Sequence, residues 1–568
     1  MAEAGGGGGT TSDDETFDFV IVGSGGGGLV AALAAHEAGL RPVLLEKQAH
    51  VGGSTGMSGG IIWMPDNPLM RAEGVPDSRE AGLAYFESVV GPPDRASTLA
   101  RREAFLTRGP QMISFIQRAG VELVRCDGYP DYYDNRPGGN ARGRSVEGVP
   151  WDGHRLGEWR TKVIPGMGRG LGMAVKTNEV RSLPVFSRSA TSFATATRVL
   201  ARTYRGRLRG QDVFTNGMSL VGQLTRAILD AGIPIRTDTG VRELVVEGGR
   251  VVGVRAERGG VPLTVRGTHG VLLSAGGFER DPEMRAKYSA DTQPSDGQWS
   301  VANAGNTGEV LAAAIALGAA TEYMDEAIWL PGPRRELGSS SVALGRQYPH
   351  AILVNAHAQR FVNEANSYVE VGRAMYANDA VPAWLVFDDA FRRTYPWARA
   401  LPKLRKLGTV IPGRMPEELV ENGWITRAAT LPELAGRIGL DPTALAQTVT
   451  RFNALARHGQ DPDFGRGESA YNRALGDPGN RPNPALGPIE TGPFYAVEIF
   501  PGDVGTTGGV ITDADARVLD QSDEPIPGLY AAGNIAATVM GRTYPGAGAS
   551  IAHTMTFGYA AALHAAAT

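Results

Sequence analysis

The chain has 568 residues, of which 42% are hydrophobic and 20% are charged, and its formal net charge is −4. This length predicts at least two domains with sizeable cores, and the near balance of charge predicts no nucleic-acid partner. A single cysteine, Cys126, excludes an internal disulfide framework and is typical of a cytoplasmic protein. The sequence contains no apolar run of the roughly 18 residues that a transmembrane helix requires, and loose membrane association is left open.

The first 47 residues combine a polar tail with a strand, a helix and a second strand. Residues 1–16 lack the basic start and apolar core of a signal peptide, so we expect a disordered tail. The apolar run Phe17–Val22 predicts a strand, a helix is expected from about Gly27 to Gly39, and a second strand ends on Glu46. This order is typical of one half of a Rossmann-like fold.

The turn after the first strand has the G-x-G-x-x-G spacing, at Gly23, Gly25 and Gly28. The first glycine permits a tight turn, the second lets the backbone approach a pyrophosphate, and the third allows close packing of helix on strand. The helix N-terminus offers amide donors to the anion, and Glu46 follows at the distance expected for a ribose-binding acid. We therefore predict a bound dinucleotide, the alternative being an empty Rossmann-like half.

Further segments favour FAD over NAD. The loop Val51–Gly60 is rich in glycine, serine and threonine, which a nicotinamide site does not require. Near the other chain end, Ile526–Asn534 predicts a strand running into glycine, and Thr543–Ala566 predicts a turn feeding a helix whose amides can face a reduced flavin. The predicted cofactor-binding residues are Gly23, Ser24, Gly25, Gly28, Glu46, Lys47, Gly53, Ser54, Thr55, Ser58, Gly59, Gly60, Ala275, Gly276, Gly277, Asn306, Gly533, Asn534, Ala549, Ser550 and Ile551.

The remaining chain divides into an FAD-binding part and an inserted part. Strand-like segments at 249–257 and 270–277 extend the nucleotide domain to about residue 284, and a helix is expected over Gly308–Leu317. We predict an α/β fold of mixed α+β content, with a Rossmann-like FAD domain split between both chain ends. The predicted ranges are 17–284 and 493–568 for that domain, 285–492 for a substrate and catalytic domain, and 151–212 for a Gly- and Arg-rich excursion on the surface or over the site.

Several longer motifs are much more specific than the glycine loop. They include VGSGGGGLVAAL, VGGSTGMSGGIIWMP, GYPDYY, RFVNEANSYVEVGRAM and GLYAAGNIAATVMGRTYPGAGA. With these motifs the chain resembles the bacterial 3-ketosteroid 1-dehydrogenases, within the fumarate reductase-like flavoproteins, from about Phe17 to Ala566. The resemblance implies non-covalent FAD, a 3-ketosteroid substrate, a role in steroid degradation, and a quinone or an artificial dye as electron acceptor.

The resemblance also implies roles for four residues. Enzymes of this family remove a hydride from C1 and a proton from C2 of the steroid A-ring, beside the C3 ketone, and the hydride goes to N5 of FAD. Tyr544 and the backbone amide of Gly548 are expected to bind the ketone oxygen, and Tyr368 is expected to take the proton. Tyr132 is expected to hydrogen-bond Tyr368, although the adjacent Tyr133 can also serve.

The proposed chemistry is consistent with the properties of these groups. A C–H bond beside a ketone becomes acidic only when donors stabilise the developing enolate, and one such donor is typically worth about 3 kcal/mol or more. A tyrosine base has an unperturbed pKa near ~10, above the ideal for neutral pH. A second phenol that hydrogen-bonds the base favours its ionised form.

Other functions are retained as alternatives. A fumarate reductase-like enzyme that reduces a small unsaturated acid needs arginine clamps, and Arg542 is a candidate. A 3-ketosteroid 4-dehydrogenase and a flavin-binding protein without turnover are the other two. His350 and His553 are expected to be satisfied structural histidines, and no residue cluster has the spacing of a metal site.

Overall fold

The computed structural model describes residues 14–166, 169, 172–289, 293, 295–333, 345–396, 413 and 415–568. In these residues the strands are β1 Asp14–Val22, β2 Pro42–Leu45, β3 Ile61–Trp63, β4 Leu123–Arg125, β5 Ser145–Gly148, β6 Trp151–Asp152, β7 Val213–Phe214, β8 Ile235–Arg236, β9 Thr239–Glu247, β10 Arg250–Arg258, β11 Val261–Leu273, β12 Thr321–Glu322, β13 Ala327–Gly332, β14 Ala351–Val354, β15 Ala383–Phe387, β16 Thr426–Ala428, β17 Phe494–Thr506, β18 Gly509–Val510, β19 Arg517–Leu519 and β20 Pro525–Ala531. The helices are α1 Gly26–Glu37, α2 Gly53–Met57, α3 Pro68–Ala72, α4 Arg79–Val89, α5 Leu99–Arg118, α6 Thr177–Val180, α7 Ala190–Leu208, α8 Asn216–Asp230, α9 Pro282–Tyr288, α10 Glu309–Ala316, α11 Tyr368–Ala377, α12 Asp389–Thr394, α13 Glu418–Glu421, α14 Leu431–Arg437, α15 Pro442–Ala456, α16 Ala470–Leu475 and α17 Ala549–Ala567, with a 3₁₀ helix at Gly153–Lys162.

The largest sheet is built on β1, whose apolar run is covered on both faces. Phe19 and Ile21 pack into a core shared with α1 and α17, while Val20 faces a second core formed with β10 and β11. All three side chains are fully buried. Burial on both faces is typical of parallel strands in α/β folds, and the predicted mixed α/β class is confirmed.

Both chain ends contribute to this sheet. Its order is β19-β20-β11-β1-β2-β8, and β10 and β9 extend it from β11. Strands β20, β11, β1 and β2 run parallel to one another. Their carboxyl ends therefore meet at one edge of the sheet, where open α/β sheets bind their ligands.

Glycine allows α17 to lie directly on α1. A Cβ atom placed on Gly558 would lie 2.4 Å from the carbonyl oxygen of Gly27. A Cβ atom on Gly28 would lie 2.0 Å from the carbonyl oxygen of Gly23. Since real side chains do not approach backbone this closely, only glycine permits this packing. The C-terminal helix is thereby fixed beside the N-terminal glycine loop.

A second, antiparallel sheet supports the other side of the molecule. Its order is β13-β17-β15-β14, and β16 pairs with β17. Helix α11 packs tightly on β13, because a Cβ atom on Gly372 would lie 2.4 Å from that of Trp329. Tyr368 is the first residue of α11. The second sheet therefore determines where the Tyr368 side chain can lie.

Three element boundaries differ from the sequence predictions. Residues 14–16 of the predicted tail belong to β1, because the long strand β11 offers them partners at Thr264–Arg266; residues 1–13 lie outside the described part of the chain. Strand β17 falls within the predicted C-terminal FAD range but pairs in the second sheet. The predicted loop Val51–Gly60 contains the short helix α2.

The excursion at 151–212 contains more regular structure than its sequence indicates. It holds the 3₁₀ helix, α6 and the 19-residue helix α7, while residues 167, 168, 170 and 171 lie outside the described part. The buried face of α7 consists of Ser192, Val199, Thr203 and Gly206. Because three of these four residues are small and polar or glycine, the buried face lacks the large apolar side chains from which a surface helix is usually predicted.

Candidate functional site

The three glycines of the first loop differ in what surrounds them. Cβ atoms on Gly23 and Gly28 would clash with backbone, at 2.3 Å from Ser274 O and 2.0 Å from Gly23 O. Gly25 has an ordinary φ of −67°, and the nearest atom to a Cβ placed there is Thr55 Oγ1 at 3.9 Å. The protein itself therefore does not require glycine at position 25. The open space there is what a pyrophosphate approaching the α1 N-terminus requires.

Glu46 anchors this loop at the end of β2. Its Oε2 accepts hydrogen bonds from the Ser24 backbone amide at 3.1 Å and from the Ser24 hydroxyl at 2.5 Å, and its Oε1 accepts from the Gln48 amide at 2.8 Å. A carboxylate can accept about four hydrogen bonds, so the predicted contact with a ribose remains available. Lys47 instead forms an ion pair with Glu309 and donates to Thr307.

Helix α2 and Asn306 approach the start of α1 from the other side. Thr55 Oγ1 accepts a hydrogen bond from the Gly26 amide at 3.1 Å, and the Asn306 amide group donates to Ser54 Oγ at 3.1 Å. A Cβ atom on Gly53 would meet nothing closer than Gly25 Cα at 3.9 Å. Gly25 and Gly53 thus border the same open space.

The rest of the second loop is fixed by its neighbours. Ser58 Oγ accepts a hydrogen bond from the Gly60 amide at 3.1 Å. The Gly59 carbonyl accepts one from Thr177 at 2.5 Å, which connects the loop to the excursion. A Cβ atom on Gly60 would lie 2.5 Å from the Asn216 backbone, so this glycine serves packing.

The remaining predicted cofactor residues follow β11 and β20 or begin α17. Gly276 has a φ of +82° and lies against Asn306, and Gly277 lies against Thr506. A cavity at the start of α17 is lined by Gly533, Asn534 and Ser550 among others. Ala549 and Ile551 complete the first turn of that helix. The predicted cofactor residues thus lie along one edge of the large sheet.

Glu279 is a buried carboxyl group at this edge that sequence reasoning missed. Its Oε1 accepts a hydrogen bond from Asn306 at 2.7 Å, and its Oε2 accepts from Thr506 at 3.3 Å. Burial raises the pKa of Glu279 to about 7, against the lowering effect of the Asn306 hydrogen bond. The only sequence signal for Glu279 is that this acid directly follows Gly276, Gly277 and Phe278.

The three predicted tyrosines converge at the boundary between the two sheets. The ring centroids of Tyr368 and Tyr544 are 5.7 Å apart, and Tyr132 lies 5.6 Å from Tyr368 and 5.9 Å from Tyr544. Position 548 requires glycine, because its φ is +90° and a Cβ atom there would lie 2.1 Å from Ile61 O. The Ser550 amide lies 3.5 Å from the Tyr544 hydroxyl, and the Gly548 amide also faces that hydroxyl.

Backbone contacts join the Tyr132 segment to the turn that carries Tyr544. The Tyr132 amide donates to Pro545 O at 3.0 Å, and the Tyr85 hydroxyl donates to the same oxygen at 2.8 Å. The Trp63 indole, which lies under Gly546, donates to Asp131 at 2.7 Å. These contacts hold Tyr132 and Tyr544 in a fixed relation.

The loop before Tyr368 is held by a buried ion cluster. Glu364 accepts hydrogen bonds from Arg360 at 2.8 and 2.9 Å and from Arg466 at 3.0 Å. Burial alone would raise the pKa of Glu364, but the two arginine charges lower it to about 2. The cluster therefore remains ionised and fixes the loop that leads into α11.

The hydroxyl groups of Tyr132 and Tyr133 face different neighbours in the structure. Burial raises the pKa of Tyr368 well above its usual value, and the Tyr132 hydroxyl opposes this shift as a hydrogen-bonding neighbour, although the two groups lie outside normal hydrogen-bond geometry. Such contacts commonly tighten only when substrate is bound. Tyr133 instead faces Ser367 and Glu370. Of the two adjacent tyrosines, Tyr132 is therefore the one whose hydroxyl neighbours that of Tyr368.

Two more tyrosines surround Tyr132, and sequence reasoning missed both. Tyr471 has its ring centroid 4.6 Å from that of Tyr132 and is buried. Asp134 positions it by accepting a hydrogen bond from the Tyr471 amide at 2.9 Å. The Tyr129 hydroxyl also neighbours Tyr132, and burial raises the pKa of Tyr129 to about 12. No motif in the sequence points to Tyr471.

Arg542 does not point toward the tyrosines as a substrate clamp. Its guanidinium pairs with Asp325 at 2.7 and 2.9 Å and with Glu326 at 3.1 Å. It also lies over the Tyr323 ring. Because Arg542 is paired with these two carboxylates, it is not available to bind a substrate carboxylate, as the fumarate reductase-like alternative requires.

The two singled-out histidines differ. His350 Nδ1 lies 2.7 Å from Pro488 O, as expected of a structural histidine. His553, on α17, is only 2% exposed and lines the cavity with Ser550, yet among the described residues neither ring nitrogen has a partner of normal geometry. Burial and the Arg101 charge lower the pKa of His553 to about 3. The expectation of a satisfied histidine is therefore wrong for His553.

Comparisons with known proteins agree with this geometry. The FAD binding domain family model matches residues 18–551. Over 558 residues the chain is 40% identical to a 3-oxosteroid 1-dehydrogenase of Mycolicibacterium smegmatis, covering 95% of each. It is 34% identical over 557 residues to 4-oxocyclohexanecarboxylate 2-dehydrogenase of Sinomonas cyclohexanicum, covering 94% of this chain and 90% of that one. The chain belongs to the 3-ketosteroid 1-dehydrogenase family.

A solved structure of this family matches throughout. It is the 3-ketosteroid delta1-dehydrogenase of Sterolibacterium denitrificans in complex with 1,4-androstadiene-3,17-dione, with a TM-score of 0.89 and 35% sequence identity, covering 97% of this chain and 100% of that one. The predicted family and FAD as cofactor are thus confirmed. Among the described residues of this 3-ketosteroid 1-dehydrogenase family member, no helix is long and apolar enough to span a bilayer.

The residues present fit FAD on structural grounds. The open space at Gly25 and Gly53 faces the α1 N-terminus, and the unpartnered nitrogens of His553 lie beside the cavity at the α17 N-terminus. The first site suits a pyrophosphate, and the second suits the polar edge of a flavin.

Replacing Gly25 with valine should abolish FAD binding without unfolding the apoprotein, because the new side chain enters open space and φ is ordinary. FAD titration followed by flavin fluorescence, together with circular dichroism and thermal unfolding of the apoprotein, measures both effects. The matched control Gly28→Val should fail to fold. Full FAD occupancy in Gly25→Val would contradict this placement of the loop.

The buried His553 should make stability fall in acid. Its folded pKa of about 3 lies below the unfolded value near ~6.5, so the unfolded state binds the proton first as pH falls below ~6.5. Between pH 7 and pH 5, His553→Leu should therefore gain about 2 kcal/mol in free energy of unfolding relative to wild type, measured by urea denaturation. The exposed control His458→Leu should show no such gain, and equal behaviour of the two variants would contradict the assignment.

Proposed function

We propose that the protein catalyses the 1,2-dehydrogenation of 3-ketosteroids. The observation that carries this proposal is the convergence of Tyr368, Tyr132, Tyr544 and the Gly548 amide on one buried place beside the predicted FAD edge. This arrangement supplies both a base and donors for a ketone oxygen. The relatives named for this activity support the steroid as substrate.

Tyr544 and Gly548 bind the C3 ketone oxygen of the substrate. Burial raises the pKa of Tyr544, so its phenol stays protonated and donates a hydrogen bond. The Gly548 amide, at the start of α17, is the second donor and carries the positive end of the helix dipole. Both hydrogen bonds strengthen as the oxygen gains enolate charge, which makes the C2 proton acidic.

Tyr368 takes the C2 proton, and Tyr132 assists it. Burial disfavours the phenolate of Tyr368, so the hydrogen bond from Tyr132 is needed to offset part of that penalty. Bound FAD would supply the acceptor for the hydride that leaves C1. The predicted cofactor residues at the sheet edge would hold FAD, with Gly25 and Gly53 at the pyrophosphate and Ser550 and Ile551 at the flavin.

We propose that residues 17–284 and 493–568 form the FAD domain and 285–492 the substrate domain, with β17 shared between them. The steroid would lie at their boundary, where small-molecule sites are common. The electron acceptor would be a quinone or an artificial dye, because the dinucleotide site is assigned to FAD. A cytoplasmic location with loose membrane association completes the proposal.

A second candidate is desaturation of a small cyclic ketone. It is favoured by the 34% identity to 4-oxocyclohexanecarboxylate 2-dehydrogenase. The same base and oxygen donors serve any ketone that carries two adjacent CH₂ groups. Pairing of Arg542 with Asp325 and Glu326 disfavours the dicarboxylate alternative.

Anaerobic flavin reduction should separate these substrates. Androst-4-ene-3,17-dione should bleach the flavin absorbance rapidly, because its C3 ketone and A-ring match the proposed site. 4-Oxocyclohexanecarboxylate should react much more slowly and succinate not at all. Faster bleaching by the cyclohexanone would favour the second candidate, and reduction by succinate would contradict both.

The Tyr368→Phe and Tyr544→Phe variants should differ in how much flavin reduction each one loses. Tyr544→Phe loses one donor to the enolate while Gly548 remains, so flavin reduction should slow by roughly 10²–10³-fold. Tyr368→Phe loses the base, so reduction should nearly stop while a product-like steroid still perturbs the flavin spectrum. Single-turnover reduction and steroid titration measure both. Reduction of Tyr368→Phe at the wild-type rate would refute its role.

The pair Tyr132 and Tyr133 provides a matched comparison. Tyr132→Phe should slow single-turnover reduction and move its pH profile upward, because Tyr368 loses the hydrogen bond that favours its phenolate. Tyr133→Phe removes an adjacent hydroxyl that faces Ser367, so its pH profile should match wild type. An upward shift in Tyr133→Phe alone would reverse the assignment.

A further inference from the structure

Helix α5 carries a fully buried arginine, Arg101, that is only partly hydrogen-bonded. Its side chain is 0% exposed, and its Nη1 donates to the carbonyl oxygens of Ala96 and Ala537, the latter at 3.0 Å. Its Nε and Nη2 have no hydrogen-bond partner among the described residues. Burial lowers the pKa of Arg101 to about 10, so the guanidinium is still charged at neutral pH. A buried charge of this kind is costly unless an anion is paired with it.

The acids whose charges reach Arg101 are engaged elsewhere. Asp94 accepts a hydrogen bond from the Tyr323 hydroxyl. Asp513 pairs with Arg517 at 2.6 Å. Both carboxylates act on Arg101 through space, without a hydrogen bond to it. Two neutral carbonyl groups are thus its hydrogen-bond acceptors, and the positive charge of Arg101 is poorly balanced by the protein.

This charge lies directly behind the wall of the cavity at the start of α17. Ala537, which accepts the hydrogen bond from Arg101, immediately precedes Thr538, and Thr538 lines the cavity. The guanidinium also lies over the ring of Phe557, 4.8 Å from its centroid. Phe557 is one turn of α17 beyond His553, with the two ring centroids 5.1 Å apart, and His553 lines the same cavity. Arg101 is therefore one residue removed from the cavity on two sides.

We propose that Arg101 sets the reduction potential of bound FAD by stabilising the negative charge that the cofactor gains on reduction. A hydride carries two electrons and one proton, so its arrival at N5 adds one net negative charge, which spreads toward N1 and the C2 carbonyl. The α17 N-terminus is the proposed place of that edge, and its helix dipole acts in the same direction as Arg101. In a dry interior a fixed charge acts over several ångströms with little screening by solvent.

His553 does not supply this positive charge. Burial and the neighbouring Arg101 lower the pKa of His553 to about 3, so its ring is neutral at the pH of catalysis. Arg101 is consequently the cation that faces the cavity from behind α17. The inference rests on FAD and on its proposed placement at this helix, and it does not depend on the steroid substrate.

Sulfite titration and potentiometry of the full-length, FAD-loaded protein test the proposal. Sulfite adds through its sulfur lone pair to N5 and leaves an extra negative charge on the flavin, so its affinity reports the same stabilisation without any turnover. In Arg101→Met the sulfite affinity should fall at least tenfold. The midpoint potential should fall by about 30 mV, which corresponds to a roughly tenfold change in a two-electron equilibrium. Arg101→Lys keeps the charge and should remain close to wild type in both measurements.

The adjacent Arg102 provides a matched control. It is also 0% exposed, but its Nε, Nη1 and Nη2 donate to Ser97 Oγ, Gly91 O and Pro92 O at 3.0, 2.8 and 3.2 Å. Successive residues of a helix point in different directions, and Arg102 lies over the Phe86 ring instead of on α17. Arg102→Met should therefore lower stability in urea while leaving the sulfite affinity and the midpoint potential at wild-type values.

Three outcomes would overturn the proposal. The first is a folded, FAD-loaded Arg101→Met with wild-type sulfite affinity and potential. The second is an equal shift in Arg102→Met, which would assign the effect to a disturbance of α5. The third is failure of both Arg101→Met and Arg101→Gln to fold or to bind FAD, which would assign Arg101 to folding or cofactor retention.

His553→Leu distinguishes a wrong role for Arg101 from a wrong placement of the flavin. Because His553 lines the cavity, this variant should perturb the visible absorbance spectrum of bound FAD. If His553→Leu perturbs the spectrum and Arg101→Met changes neither affinity nor potential, only the role of Arg101 is refuted. If neither variant has an effect, the flavin does not lie in this cavity, and the proposed catalytic site fails with it.

Discussion

The contact between the two chain ends is the constraint on which the site depends. Helix α17 lies against α1 through Gly558 and Gly27, at a distance that excludes any side chain. The same helix begins at Gly548, so its first turn is brought beside the glycine loop after β1. The proposed ketone-binding donors and the proposed pyrophosphate-binding turn come from opposite ends of the chain, and this packing brings them to one edge of the sheet.

Burial raises the pKa of both Tyr368 and Tyr544, which favours the proposed role of Tyr544 as a donor and opposes the proposed role of Tyr368 as a base. A low-dielectric site strengthens hydrogen bonds to a developing enolate, and it suits a flat hydrocarbon substrate. The same burial disfavours the phenolate of Tyr368 and keeps Tyr544 protonated. The neighbouring phenol of Tyr132 offsets part of this penalty without adding a charge. Tyr544, Tyr471 and Tyr129 act in the other direction and raise the pKa of Tyr368 further, so Tyr132 is the neighbour that favours its phenolate.

Features whose chemistry is local could be predicted from the sequence. Local sequence is enough to indicate a tight backbone turn or the end of a strand. This applies to the glycine loop, to the segments after β11 and β20, and to the turn before α17. Tyr471 and Glu279 could not be predicted, because distant residues bring them into place. The pairing of β17 in the second sheet could not be predicted for the same reason. The burial of His553 and the pairing of Arg542 likewise depend on tertiary contacts.

The meeting of Gly27 with Gly558 also bears on how the protein is made. These residues are about 530 positions apart, so at the ~5–20 residues per second of ribosomal synthesis roughly 30 to 100 s separate their appearance. Throughout that time β1 lacks β20 at its sheet and α1 lacks its covering helix. The nascent chain therefore presents apolar surface to the cell until β20 and α17 have been synthesised.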